Sequence, residues 1–129
     1  MPAWITRKLG DRFDNLSTDR SEIRKLAQLP TGSMVHCSLP AGTVSGAVRL
    51  TGIQELWYVV RGNGQVWRML DNAEETVDVA PGTALTLPEG TTLQFRAADG
   101  EPLEFICVTM PPWPGPSAAV PASGPWDVP

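Results

Sequence analysis

The sequence predicts an all-β domain, a jelly roll of two sheets, and three observations carry that expectation. Between about Ser33 and Thr109 the apolar segments are short and rich in Val, Thr, Leu, Phe and Trp, residue types that pack well on a pleated, half-buried surface. Thirteen prolines and twelve glycines punctuate the 129 residues, and they fall between those segments as turn signals. The segments number eight, which suits two packed sheets of antiparallel strands.

In chain order, residues 1–32 are read as an N-terminal extension. Asp19 followed three residues later by Glu22 resembles a helix-capping pair, and Ile23, Leu26 and Ala27 then share one helical face before Pro30, so local periodicity predicts a helix there. Residues 33–112 form the barrel, with strands expected at 34–39, 47–50, 55–61, 65–70, 75–79, 84–87, 92–97 and 103–110. Pro40-Ala41-Gly42, Gly62-Asn63-Gly64, Asp71-Asn72, Pro81-Gly82, Pro88-Glu89-Gly90 and Asp99-Gly100 supply the turns. Residues 113–129 form a Pro-rich tail. The prolines from Pro111 onward remove too many backbone donors for a sheet interior. Trp113 and Trp126 would be costly to leave in water, so part of the tail is expected against the barrel or a neighbouring subunit.

A chain of this length buries a full core without cross-links. Ten basic against fourteen acidic residues, a formal charge of -4, and no basic run give no footprint for nucleic acid or an anionic membrane. No apolar stretch approaches the roughly 18 residues of a spanning helix, and Arg7, Lys8, Asp11 and Arg12 interrupt the start where a secretion signal would be apolar, so the expected compartment is the cytoplasm. Cys37 and Cys107 each sit in an apolar run and read as buried free thiols.

Two spaced patterns then stand out. Gly42, Val48, Leu50, Glu55 and Gly62 are separated by five, one, four and six residues; Gly82, Pro88, Gly90, Leu93 and Ala97 by five, one, two and three. On these residues the chain resembles the cupin superfamily, and 54–58, 93–96 and 109–115 are similar to small single-domain bacterial cupins. The resemblance implies the cupin double-stranded β-helix barrel over about residues 33–112. It also implies an extra N-terminal strand near 22–26, against the helix that local periodicity predicts, and a homodimer.

The same resemblance marks a metal site that the residues do not supply. A metal-binding cupin holds its ion with histidines and one carboxylate, and here the marked positions are Val48, Leu50, Glu55 and Leu93. A single carboxylate falls short of the three protein ligands usual for a catalytic metal, so neither metal nor other cofactor is expected. Glu55 becomes the first candidate for acid or base chemistry, because burial in an apolar barrel disfavours its charged form. The bland alternative pairs it with Arg49, Arg61 or Arg96, or with neighbouring strands. His36, the sole histidine, is a tentative catalytic partner, since metal-free cupins such as sugar-nucleotide epimerases use a histidine base. Alternation puts Trp57 on the face of Glu55 and Tyr58 on the other, and puts Leu93 and Phe95 opposite Gln94 and Arg96. Val48, Leu50, Trp57, Trp67, Leu93 and Phe95 are the candidate ligand-binding residues, an apolar and aromatic wall for a small organic molecule.

Three functions are compatible with these residues. The first is a metal-independent small-molecule-binding barrel. The second is a metal-free isomerase, epimerase or cyclase using Glu55, with His36, as acid and base. The third is a barrel filled by its own side chains that acts only in structure or protein contact. A DNA-binding role has neither a helix-turn-helix nor a basic patch to support it.

Overall fold

A computed structural model describes residues 4–129. Its strands are β1 (Asn15–Leu16), β2 (Glu22–Leu29), β3 (Gly32–Leu39), β4 (Val48–Leu50), β5 (Gln54–Arg61), β6 (Gly64–Leu70), β7 (Ala73–Val79), β8 (Ala84–Leu87), β9 (Thr92–Ala97), β10 (Leu103–Met110) and β11 (Ala119–Pro121). They form a six-stranded sheet in the order β1-β2-β3-β10-β5-β8 and a five-stranded sheet in the order β11-β4-β9-β6-β7. Adjacent strands pair antiparallel throughout. The result is an all-β jelly-roll barrel of two antiparallel sheets.

Each of the eight central segments is a strand, and alternation decides which side chains enter the barrel. In β10, Leu103, Phe105, Cys107 and Thr109 are buried while their neighbours are half-buried; in β5, Glu55, Trp57 and Val59 are buried while Leu56, Tyr58 and Val60 are exposed. Register joins the rows, since Phe105 lies opposite Val59 and Cys37, and Cys107 lies opposite Trp57 and Val35. At the centre Trp57 stacks on Phe105 with ring centroids 3.9 Å apart, and Phe95 meets both rings edge-on at 5.1 and 5.4 Å. Such aromatic pairs contribute about 0.5–1.5 kcal/mol each beyond the area they bury.

The N-terminal region corrects the local-periodicity expectation. Residues 22–29 form β2, which pairs with β3 through Ile23 opposite Cys37 and Lys25 opposite Val35. The edge of β3 presents a row of unpaired backbone groups, and satisfying that row outweighs a weak helical preference. The capping chemistry of Asp19 survives in another form. One carboxylate oxygen accepts from the Ser21 amide at 2.9 Å and from the Ser21 hydroxyl at 2.6 Å, a local turn instead of a helix start.

The tail lies against its own barrel. A short 3₁₀ turn at Pro116–Ala118 leads into β11, which pairs with the edge strand β4. The Gln94 side-chain amide acts as a clamp: it accepts from the Trp126 amide at 3.0 Å and donates to the Trp126 carbonyl at 2.8 Å and to the Ser45 carbonyl at 2.9 Å. The Arg96 guanidinium sits 4.2 Å from the centre of the Trp126 ring. Gly124 passes so close that a Cβ there would lie 2.2 Å from Gln94 Oε1. Gly62 is held by the same kind of constraint: its φ is +79° and a Cβ would lie 2.1 Å from the Pro102 carbonyl oxygen.

Candidate functional site

Between the sheets lies an open-mouthed cavity of about 1010 Å³. Its walls come from both sheets, with Val35, Glu55, Trp57 and Thr109 on one side and Val48, Leu50 and Leu93 on the other. The 17–21 segment, β2 and Trp113 of the tail flank it. The four positions that the spaced motifs single out, Val48, Leu50, Glu55 and Leu93, therefore share one chamber, with Val48 directly opposite Leu93 in the register of β4 and β9. A chamber this size exceeds the roughly 300 Å³ at the lower end for ligand pockets, so the barrel is not filled solid.

Glu55 is the buried acid of the chamber, 8% exposed. Trp57 Nε1 donates to one carboxyl oxygen at 3.1 Å and Thr109 Oγ1 donates to the other at 2.9 Å. No arginine reaches it. Arg61 pairs with Glu101 and Glu104, Arg96 donates to Gln65, and Glu55 enters no ion pair among the described residues. Burial pushes the carboxyl above its ordinary value, and the hydrogen bonds from Trp57 and Thr109 only partly oppose that. Asp19, in the 17–21 segment that flanks the chamber, is likewise raised by burial against the pull of Ser21, and its charge adds to the pressure on Glu55.

Phe95, fully buried, stands behind the chamber wall as the edge-on partner of Trp57 and Phe105. Trp67 does not join these residues. It lies in the five-stranded sheet, in register with Gln94 and therefore on the face opposite Phe95, and its Nε1 donates to Glu74 at 2.8 Å. The hairpin that links Trp57 and Trp67 in sequence sends β5 and β6 into different sheets, so proximity along the chain does not become a shared wall. His36 is also turned away. It lies opposite Ile106 on the outer face of the six-stranded sheet, and its Nε2 donates to Glu104 at 2.9 Å. A Glu55–His36 dyad is thus excluded by strand parity. The ring is buried and its Nδ1 has no hydrogen-bond partner among the described residues.

Three features of the chamber were missed from sequence. Thr109 orients Glu55, and its signal was available in the alternation of β10. Cys37 and Cys107 both line the chamber as buried free thiols; the neighbouring Cys37 and then burial drive the Cys107 thiol well upward, so it is held neutral and poorly nucleophilic. Asp19 arrives only because β2 folds back on β3, and no local pattern announces that.

A family model described as "Cupin domain" matches residues 35–109, more than half of the chain, and the chain belongs to the cupin family. No curated protein sequence matches it. Among solved structures, an ectoine synthase from P. lautus superposes with a TM-score of 0.70 at 20% identity, over 98% of this chain and 94% of that one. A predicted oxalate decarboxylase from Thermotoga maritima gives 0.67 at 18% identity, over 83% and 98%. KdgF from Halomonas sp. gives 0.64 at 20% identity, over 77% and 86%. At these identities the likeness is one of fold. The residues present do not fit the transition metal of metal-binding cupins: Val48, Leu50 and Leu93 carry no donor atoms, and among the described residues no three His, Cys, Asp or Glu side chains are grouped to hold an ion.

Proposed function

We propose that this cupin binds a small organic molecule in the chamber over Glu55 without a metal. The observation that carries the reading is a cavity of about 1010 Å³ in which Val48, Leu50, Trp57 and Leu93 form an apolar wall around the oriented, buried carboxyl of Glu55. Apolar walls with few placed polar groups are the usual make-up of a ligand site. Titration with 1-naphthol, a neutral aromatic probe, followed by calorimetry, tests it. One saturable site is expected, and Leu93→Trp, which fills the chamber from β9, abolishes it. Absence of binding, or binding untouched by Leu93→Trp, overturns the reading.

A second reading is favoured by one observation, the upward shift of Glu55 by burial, which prepares a carboxyl for proton transfer in an isomerisation, epimerisation or cyclisation. In this form Glu55 acts without His36. Turnover of a bound molecule that disappears in Glu55→Gln while affinity persists selects this reading over simple binding.

The proposal includes a homodimer. Met34, Leu56, Tyr58 and Val60 are exposed on the outer face of the six-stranded sheet, an apolar patch that a second copy would cover. Light scattering then gives twice the 13.9 kDa chain mass; a monomer mass removes this part. No helix of the described residues is long and apolar enough to cross a membrane, and the cytoplasm is the compartment we propose.

A further inference from the structure

We propose that the chamber takes an organic ammonium ion with an apolar body, the charged head on Glu55 and the body against Trp57, Leu50 and Leu93. This names the ligand class of the proposed site and rests on that reading.

The observation is a counter-ion deficit inside a cavity. A buried carboxylate is normally offset by a cation, since removing its charge from water without one is expensive. Of the guanidinium groups that sequence reading offered as partners, Arg61 is on Glu101 and Glu104 and Arg96 on Gln65 and the Trp126 ring, while Arg49 alternates with the chamber residues Val48 and Leu50 on β4 and is exposed. Glu55 instead receives one neutral donor on each oxygen, the Trp57 indole and the Thr109 hydroxyl. Each oxygen therefore keeps room for a second donor, and Glu55 is part of the wall of a space large enough for a ligand.

An ammonium head matches both the charge and the donor count. It brings three N–H donors and makes charge-assisted bonds, roughly twice as strong as neutral ones. The Trp57 indole in the same wall adds a ring quadrupole that attracts cations. Asp19 lines the same chamber and carries the same sign as Glu55; the cations that also line it, Arg7 from the N-terminal segment and Lys25 from β2, form an ion pair with neither acid among the described residues, so a carboxylate or phosphate head placed on Glu55 would meet repulsion there. In the free protein a proton on Glu55 relieves the deficit, and an ammonium ligand would displace it.

Calorimetric titration of the full-length chain with hexylammonium, 1-hexanol and hexanoate tests the class at constant chain length. Hexylammonium is expected to bind at least about ten-fold more tightly than hexanol, with hexanoate the weakest. Binding should release protons, measured by repeating the titration in buffers of different ionisation heat, and the release should shrink as pH rises from 5 to 8. Glu55→Gln, nearly isosteric, should bring hexylammonium and hexanol to equal affinity; if that variant does not fold, proton release by the unaltered chain decides. Hexanol binding as tightly as hexylammonium, a preference that survives Glu55→Gln, or no proton release overturns the inference. If hexanol or 1-naphthol binds and hexylammonium does not, the cation class fails while the cavity reading stands. If none of these probes binds, both fail.

Discussion

The two faces of the six-stranded sheet each bury an ionisable side chain, and they treat it differently. On the outer face His36 is only 4% exposed and is joined to Glu104, which in turn receives Arg61. On the inner face Glu55 is 8% exposed and receives only neutral donors. His36 is supported by a charge network that ends in solvent. Glu55 has no cationic partner within ion-pair distance among the described residues, and it borders an open chamber. Burial alone does not separate a structural group from a candidate functional one; the identity of the partners does.

The inner face also carries the stability, which gives the largest expected difference between the two. Phe105 is buried against Trp57 and Phe95, whereas Tyr58 on the outer face is about half exposed. At concentrations low enough to dissociate the proposed dimer, Phe105→Ala should cost about 3–5 kcal/mol in denaturant unfolding, and Tyr58→Ala within about 0.5 kcal/mol. Equal costs in the monomer would mean that the outer face is as tightly packed within the chain as the inner one.

Glu55 should reveal itself next through pH. Its folded carboxyl titrates above its ordinary value of 4.5, so between that value and the folded pKa the native state binds more protons than the unfolded chain. The stabilisation is complete below the unfolded value and is lost as pH rises through the folded one, with a slope of at most about 1.4 kcal/mol per pH unit for a single proton. Asp19, also raised by burial, contributes in the same direction. Unfolding free energies measured from pH 4 to 8 should fall with pH, and Glu55→Gln should flatten the curve. An unchanged slope in that variant would mean that Glu55 is accommodated as an ordinary carboxylate.

The central strands and the choice of inner or outer face were legible because a period of two leaves no freedom once one face is apolar. Glu55 with Trp57, and Leu93 with Phe95, fell on the inner face as alternation required. What was not legible was non-local. The β2–β3 pairing depends on the edge of β3, which begins thirteen residues after Asp19, and the sheet change after Gly62 separates Trp57 from Trp67. Parity within β3 places His36 opposite Cys37, but only the register with β10 shows that Cys37 faces the chamber and His36 faces Glu104. The partners of Glu55 were half accessible: Trp57 lies two residues away, whereas Thr109, its register partner on β10, lies 54 residues away in sequence.

The outer-face network gives a smaller effect. Glu104→Gln removes the charge that His36 Nε2 and Arg61 share. A buried hydrogen bond to a charged acceptor is worth about 1.5–3 kcal/mol, and the part belonging to His36 should be lost without any change in 1-naphthol affinity. A change in affinity would connect the outer face to the chamber and weaken the contrast between the two acids.

Trp67 offers the smallest effect and the finest division between faces. It is buried like Trp57, at 6% against 4%, and both indoles donate to a glutamate, Trp67 to Glu74 and Trp57 to Glu55. Only Trp57 borders the chamber. Trp67→Phe should cost about 1 kcal/mol, the value of one hydrogen bond, and leave 1-naphthol binding unchanged. Trp57→Phe should weaken that binding, because it removes both ring area from the wall and the donor that orients Glu55. If Trp67→Phe weakens binding as much, the ligand sits on the outer face of the five-stranded sheet, and a tryptophan with a glutamate partner is then no guide to the site without the cavity beside it.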